Sequence, residues 1–139
     1  MPAPYPSLEA TVGPLTFENP FLLASGPPTA SGEQIRRAFR LGWAGAVTKT
    51  ITPGTMEIRD VSPRFAAWKD ERSGLLGFEN IELLSRRSVP YWTAEIAAIK
   101  RDHPDRVLVA SIMASPDIDE WQALARIVEA AGADAIELR

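Results

Sequence analysis

The segment Leu41-Gly-Trp-Ala-Gly-Ala-Val47 decides the fold class, because it ends a helical pattern at a glycine and then begins an apolar strand. Ala131-Gly-Ala-Asp-Ala-Ile136 makes a similar transition near the other end of the chain. Glycine suits the position just after a helix, where a left-handed backbone is common. Strands that alternate with helices pair in parallel and are joined by right-handed crossovers. The sequence therefore predicts an α/β fold.

Strand and helix patterns alternate in both directions from these two transitions. Short apolar runs bounded by turn residues predict strands over 21–24, 45–51, 107–112 and 135–138. Helical spacing predicts helices over 31–41, 88–103 and 117–131. Ser31 and Ser88 are suitable N-caps, and Asp117 with Glu120 is expected to form a capping box.

Two further segments lie outside this alternation. Residues 9–12 and 15–17, separated by Gly13-Pro14, are predicted to form a hairpin that would plug the bottom of a barrel. Residues 52–87 are rich in Pro, Gly and charge, and they predict a long loop with a short hairpin through 64–68 and 75–78. A loop of this length in a compact domain is usually functional.

Composition excludes several classes of protein. The chain has 139 residues, 45% of them hydrophobic and 24% charged, which is ordinary for a soluble domain. The net charge of −3 gives no reason to expect nucleic acid or an anionic membrane as a partner. No apolar stretch approaches the ~20 residues that span a bilayer. The start, Met1 to Leu8, is proline-rich and lacks the layout of a signal peptide, so a cytoplasmic location is expected.

The chain contains no cysteine and a single histidine, His103. A disulfide, a thiolate zinc site, an iron–sulfur cluster and a cysteine nucleophile are therefore excluded within this chain. His103 lies in a polar run and is expected to be solvated, so no metal site is predicted. The acidic residues of 117–120 are expected to start a helix, not to form a catalytic pair. The tryptophans are expected to be packing residues; they are Trp43, Trp68, Trp92 and Trp121.

An open doubly wound sheet and a closed barrel both fit the alternation of elements. The G-x-G-x-x-G fingerprint of a dinucleotide site is absent, which favours the barrel. A closed barrel typically needs ~250 residues. We therefore expect residues 1–139 to form a single partial domain, the N-terminal portion of a (β/α)8 TIM barrel with about four β/α units. Its open edges make a homo-oligomer an expected state.

Three places near the carboxyl ends of the predicted strands are candidates for function, because barrel enzymes place their chemistry there. Small residues in Ala24-Ser-Gly-Pro-Pro-Thr29 permit a ligand to approach the backbone, although the segment also reads as a simple turn. Lys49, followed by Thr50, ends an apolar strand, where it needs either a partner or a route to solvent. Asn80 in the long loop can donate and accept hydrogen bonds, although loop asparagines are commonly turn formers.

Several motifs together resemble the flavin domain of the dihydropyrimidine dehydrogenases, within the wider dihydroorotate dehydrogenase group. They follow one another in the order of that family from about Leu15 to Leu138. The clearest are Asn19-Pro-Phe-Leu-Leu-Ala-Ser25, Val47-Thr-Lys-Thr50, Asn80-Ile-Glu-Leu83, Ala110-Ser-Ile-Met113 and Gly132-Ala-Asp-Ala-Ile-Glu-Leu138.

The resemblance implies an oxidoreductase of pyrimidine catabolism that binds FMN and interconverts uracil or thymine and their 5,6-dihydro forms. Residue by residue, Ala24 and Ser25 match positions that touch FMN. Lys49 and Thr50 match a pair that lies against the flavin, and Asn80 matches an asparagine that binds the pyrimidine base. Electrons are expected through FAD, iron–sulfur clusters and NAD(P)H on a partner subunit or module.

The chain also departs from the family pattern. Arg139 stands where the family has an asparagine, and the general-acid cysteine of the family is expected in a later loop. No catalytic residue is therefore assigned in this chain, and the chain alone is expected to be inactive. The alternatives are a dihydroorotate dehydrogenase or another FMN reductase, and a non-catalytic chain that acts only through association with a partner.

Overall fold

A computed structural model describes residues 6–56 and 61–139. Residues 1–5 of the proline-rich start and 57–60 of the predicted loop lie outside the described part. The strands are β1 (Ala10–Val12), β2 (Leu15–Phe17), β3 (Leu22–Leu23), β4 (Gly45–Val47), β5 (Phe65–Asp70), β6 (Gly74–Asn80), β7 (Val107–Ile112) and β8 (Ala135–Leu138). The helices are α1 (Gly32–Arg40), α2 (Val89–Asp102) and α3 (Ile118–Ala130).

A parallel sheet of four strands forms the centre of the fold, in the order β3-β4-β7-β8. Its strands follow one another in chain order, and the sheet is not closed among the described residues. The α/β prediction is confirmed. Side chains of α1, α2 and α3 form one apolar cluster with one face of the sheet, in which Ile35, Ile96, Leu108 and Leu124 are almost fully buried. No helix of the described chain is long and apolar enough to cross a membrane.

The predicted N-terminal hairpin is present as β1 and β2 and lies at the amino ends of the parallel strands. The ring of Phe17 approaches Gly45 at the start of β4. Glu18 forms an ion pair with Arg106, which immediately precedes β7. These contacts hold the hairpin at the amino ends of the parallel strands. The carboxyl ends, where function is expected, lie on the opposite side of the sheet.

Gly45 is a position where the packing of three strands admits no side chain. A Cβ atom there would lie 2.6 Å from Cδ1 of Leu22 and 2.9 Å from the carbonyl oxygen of Val107. We expect Gly45→Ala to destabilise the protein by about 1–3 kcal/mol, because overpacking forces the backbone to shift. Gly77→Ala is the control, since no described heavy atom lies within 4 Å of its Cβ position. Urea unfolding of both variants measures the difference, and equal stabilities would contradict this account.

The three helices begin at the N-cap residues that the sequence predicts. Ser31 and Ser88 accept hydrogen bonds from backbone N–H groups of the first turn, at 3.3 Å each. Asp117 caps α3, but the expected capping box with Glu120 is wrong. The Glu120 carboxylate instead accepts hydrogen bonds from the hydroxyls of Ser115 at 2.6 Å and of Thr55 at 2.9 Å. Two hydroxyl donors draw it away from the start of the helix.

Three other expectations need correction. Trp68 is 62% exposed on β5, whereas Trp92 is fully buried, so the packing role fails for Trp68. His103 is only half-exposed, because it ends α2 and places its ring edge-on against Phe39, with the centroids 5.5 Å apart. The first parallel strand covers only Leu22–Leu23, and the preceding Phe21 is 59% exposed.

Candidate functional site

A bulge at the end of β4 creates the first part of the site. Val47 pairs with Val109 of β7, but the next bridge joins Ile51 to Ile112. The β4 side therefore has one residue more than the β7 side between these two pairs. A strand was predicted over 45–51, and it ends at Val47 for this reason. Such bulges bend a strand and redirect its side chains, and they are common beside active sites.

The extra residue changes the partners of the segment after β4. The Ser111 N–H donates to the hydroxyl of Thr48 at 3.1 Å, so a side chain completes the ladder. The Lys49 N–H turns away from the sheet and donates to the carbonyl of Thr29 at 3.1 Å. The Lys49 side chain is 11% exposed, and its ammonium group forms an ion pair with Glu82. Lys49 is thus a buried, partnered cation and does not extend into solvent.

Glu82 lies just after β6 and joins two predicted site residues. Hydrogen bonding to Lys49 lowers the pKa of the Glu82 carboxyl, and the charges of Lys49 and Arg139 and a hydrogen bond to Asn80 act in the same direction. Partial burial opposes them by raising the pKa. The net shift is downward, so Glu82 is ionised at neutral pH and Asn80 lies beside the Lys49–Glu82 pair.

The lowered pKa of Glu82 gives the stability a defined pH dependence. A carboxyl with a depressed folded-state pKa contributes stability above its unfolded value of about 4.3, and the contribution is lost as the pH falls through the folded value. We expect Glu82→Gln to be less stable than the wild type at pH 7, and we expect this difference in the free energy of unfolding to shrink as the pH falls below the unfolded pKa. Urea unfolding at a series of pH values tests this. Glu79 is exposed on β6, so Glu79→Gln should be as stable as the wild type at every pH. A difference in stability between Glu82→Gln and the wild type that does not change with pH would contradict this prediction.

A chain of hydrogen bonds runs across the carboxyl ends of three strands. Ser111 donates to the carboxylate of Glu137 at 2.7 Å, because a carboxylate can only accept. The Thr50 hydroxyl, 3.0 Å from the Ser111 hydroxyl, is therefore the donor of that pair. Arg139 in turn donates to the Thr50 hydroxyl at 3.3 Å. The donor and the acceptor of every hydrogen bond in this series are therefore fixed.

The loop after β3 supplies the last part of the site. Thr29 organises it, since its hydroxyl accepts from the Gly26 N–H at 3.1 Å and lies 3.4 Å from the Ala24 carbonyl. Ala24 is exposed. The Ser25 hydroxyl oxygen is buried, yet it has no hydrogen-bond partner among the described residues. A buried polar group without a partner costs free energy, and in native proteins it calls for an explanation.

The structure brings most of the predicted site residues together. Lys49 and Asn80 meet at Glu82, and the Thr29 carbonyl links the loop of Ala24 and Ser25 to the Lys49 backbone. Sequence reasoning missed four polar residues that complete the site. These residues are Thr29, Glu82, Ser111 and Glu137. In the sequence, each is marked only by being a polar side chain within or beside an apolar run.

Comparisons with known proteins agree with the motif series. No family model matches the chain. A chloroplastic dihydropyrimidine dehydrogenase (NADP(+)) of Arabidopsis thaliana is 35% identical over 138 residues, which are 96% of this chain and 32% of that protein. The NAD-dependent dihydropyrimidine dehydrogenase subunit PreA of Escherichia coli is 40% identical over 130 residues, 94% of this chain and 31% of that protein. The chain thus spans about a third of the length of the curated relatives it matches.

Proposed function

We propose that this chain, a homologue of the dihydropyrimidine dehydrogenases over 96% of its length, forms part of the FMN site of an oxidoreductase that interconverts uracil or thymine and their 5,6-dihydro forms. One observation supports this most: the buried Ser25 hydroxyl has no partner in the described chain. It lies in the loop next to Lys49 and Thr50, at the strand ends where a ligand would bind. A bound flavin would supply the missing hydrogen bond.

We also propose that residues 1–139 belong to a (β/α)8 barrel. The parallel strands follow one another in chain order, and the helices contribute to one apolar cluster with one face of the sheet. In a doubly wound sheet the strand order reverses at a switch point, and helices cover both faces. The observed arrangement supports consecutive β/α units of a barrel.

The residues at the strand ends fit the proposed flavin. FMN would supply hydride transfer to and from the pyrimidine ring. Lys49 would place a positive charge where negative charge develops on the reduced isoalloxazine. Ala24 and Ser25 would receive the ring system, and Thr50 would present its hydroxyl. Asn80 would hold the alternating N–H and C=O edge of the pyrimidine base.

The remaining chemistry requires groups outside this chain. It contains no cysteine, so the general acid implied by the resemblance would come from elsewhere in the protein. The name of the Arabidopsis relative includes NADP(+). The Escherichia coli relative is named as a subunit of an NAD-dependent enzyme. We therefore propose that NAD(P)H reduces the flavin through FAD and iron–sulfur clusters on a partner subunit or module.

A second candidate function follows from Arg139. Its guanidinium group lies 3.3 Å from the Thr50 hydroxyl, and its charge acts on Glu82. A cation at the edge of a pyrimidine site would favour a substrate with a carboxylate, such as dihydroorotate. The two candidates share the flavin and differ only in the substrate.

Substrate assays on the protein isolated from its native source distinguish the candidates. We expect uracil and thymine to be reduced at the expense of NADH or NADPH, with little turnover of orotate. Turnover of orotate alone would replace the first candidate with the second. Failure to act on any of these pyrimidines or their dihydro forms would overturn the proposed activity.

A further inference from the structure

A second feature, which adjoins the proposed flavin contact Lys49, is a cleft between the start of α1 and the segment 82–87 that precedes α2. Its volume is about 840 Å³. In the described part of the chain, five basic side chains line it; they are Arg37, Lys49, Arg64, Arg86 and Arg87. The acidic lining residues are Glu33 and Glu82. The whole chain has a net charge of −3, whereas basic residues outnumber acidic ones among the described residues of this lining.

Arg64 and Arg86 already have interaction partners, so Arg37 and Arg87 are the cations of the cleft that concern a ligand. The ion pair between Lys49 and Glu82 removes one charge of each sign. Arg37 is exposed on α1 and makes no ion pair with any described residue, including Glu33 one turn earlier. Arg87 is also exposed, and its guanidinium carbon lies 5.0 Å from the centre of the Tyr91 ring. This stacking fixes the position of the cation while leaving its N–H donors available.

We propose that this cleft binds a small, multiply charged anion bearing phosphate or carboxylate groups. Arginine matches these groups because its planar fork donates two parallel hydrogen bonds. Arg37 and Arg87 line the cleft from separate elements, so an anion bound there would have cationic partners on α1 and on the segment before α2. The volume lies within the range of about 300–1,000 Å³ that is typical of small-molecule sites. The concave shape favours a small molecule over the surface of an acidic protein.

Isothermal titration of this chain with inorganic pyrophosphate and with citrate, at low ionic strength, tests the proposal. We expect saturable binding of one anion per chain. Arg37→Gln and Arg87→Gln should each weaken binding roughly tenfold, the effect of one lost charge-assisted contact. Both side chains are exposed, so the variants should fold normally, as a melting curve checks. Arg126→Gln is the matched control, since Arg126 is exposed on α3 and lies outside the cleft.

The outcomes separate the sources of the anionic group. Tighter binding of pyrophosphate supports a phosphate-bearing ligand, and tighter binding of citrate supports a carboxylate-bearing one. Absence of saturable binding to both anions would overturn the proposal, as would an equal loss of affinity in Arg126→Gln. Binding of a hexaglutamate peptide alone would also overturn it, in favour of an acidic protein partner. None of these results depends on flavin, so the proposed flavin function stands or fails separately.

Discussion

Replacing Trp92 with alanine is expected to remove a large part of the stability of the folded chain. Trp92 is fully buried in the cluster that joins the helices to the sheet, and its indole N–H donates to the Ser85 hydroxyl at 2.8 Å. Truncation of a buried tryptophan costs about 3–5 kcal/mol. Domains of this size are stable by only about 5–15 kcal/mol in total. We therefore expect a large fall in the urea midpoint, or loss of the cooperative transition, measured by far-UV circular dichroism.

Two further variants make this prediction specific. Trp68→Ala removes the same atoms from an exposed position on β5, and we expect it to change stability by no more than about 0.5 kcal/mol. Trp92→Phe keeps an aromatic ring but removes one of the two donors to the buried Ser85 hydroxyl, because the Arg87 N–H also donates to it at 3.1 Å. We expect the lost hydrogen bond to cost about 0.5–1.5 kcal/mol, an intermediate effect. If Trp68→Ala proved as destabilising as Trp92→Ala, the assignment of the core would be wrong.

Replacing Lys49 with methionine is expected to reduce pyrimidine turnover by about a hundredfold or more. Removal of one preorganised group that stabilises developing charge typically has an effect of this size. Methionine preserves the length of the side chain but removes the charge, and it leaves Glu82 without its cation. The measurement is kcat with saturating uracil, made on the flavin-containing protein from its native source.

Controls separate this effect from unfolding. Lys69→Met removes a lysine from an exposed position on β5, and its activity should match the wild type. The flavin content and the melting temperature of Lys49→Met show whether the fold persists. A folded Lys49→Met variant with turnover within about twofold of the wild type would exclude the proposed role of Lys49.

The order of elements was predictable because its signals are local. Gly42 and Gly132 each adopt a positive φ, 95° and 101°, just after a helix. The limits of the strand after Gly42 were not predictable in the same way. Whether residues 48–51 continue β4 depends on its register against β7, which lies more than fifty residues away in the chain.

The candidate site was also predictable only where its signals are local in the sequence. Lys49 could be identified from the sequence because it is a charged residue at the end of an apolar run. Asn80 could be identified because it belongs to a family motif. The partner of Lys49 was not predictable, because Glu82 reaches it only through the fold of the loop after β6. The exposure of Trp68 was not predictable either, because an apolar side chain in a strand does not reveal whether another element packs on it.

We propose that these strand ends hold a flavin which exchanges hydride with a pyrimidine. The most direct test is the visible spectrum of the protein isolated from its native source, reduced without oxygen and then mixed with uracil or thymine. Our account predicts one FMN per copy of this chain and return of the oxidised flavin spectrum on mixing. A protein without flavin, or a reduced flavin that neither base reoxidises, would contradict the account.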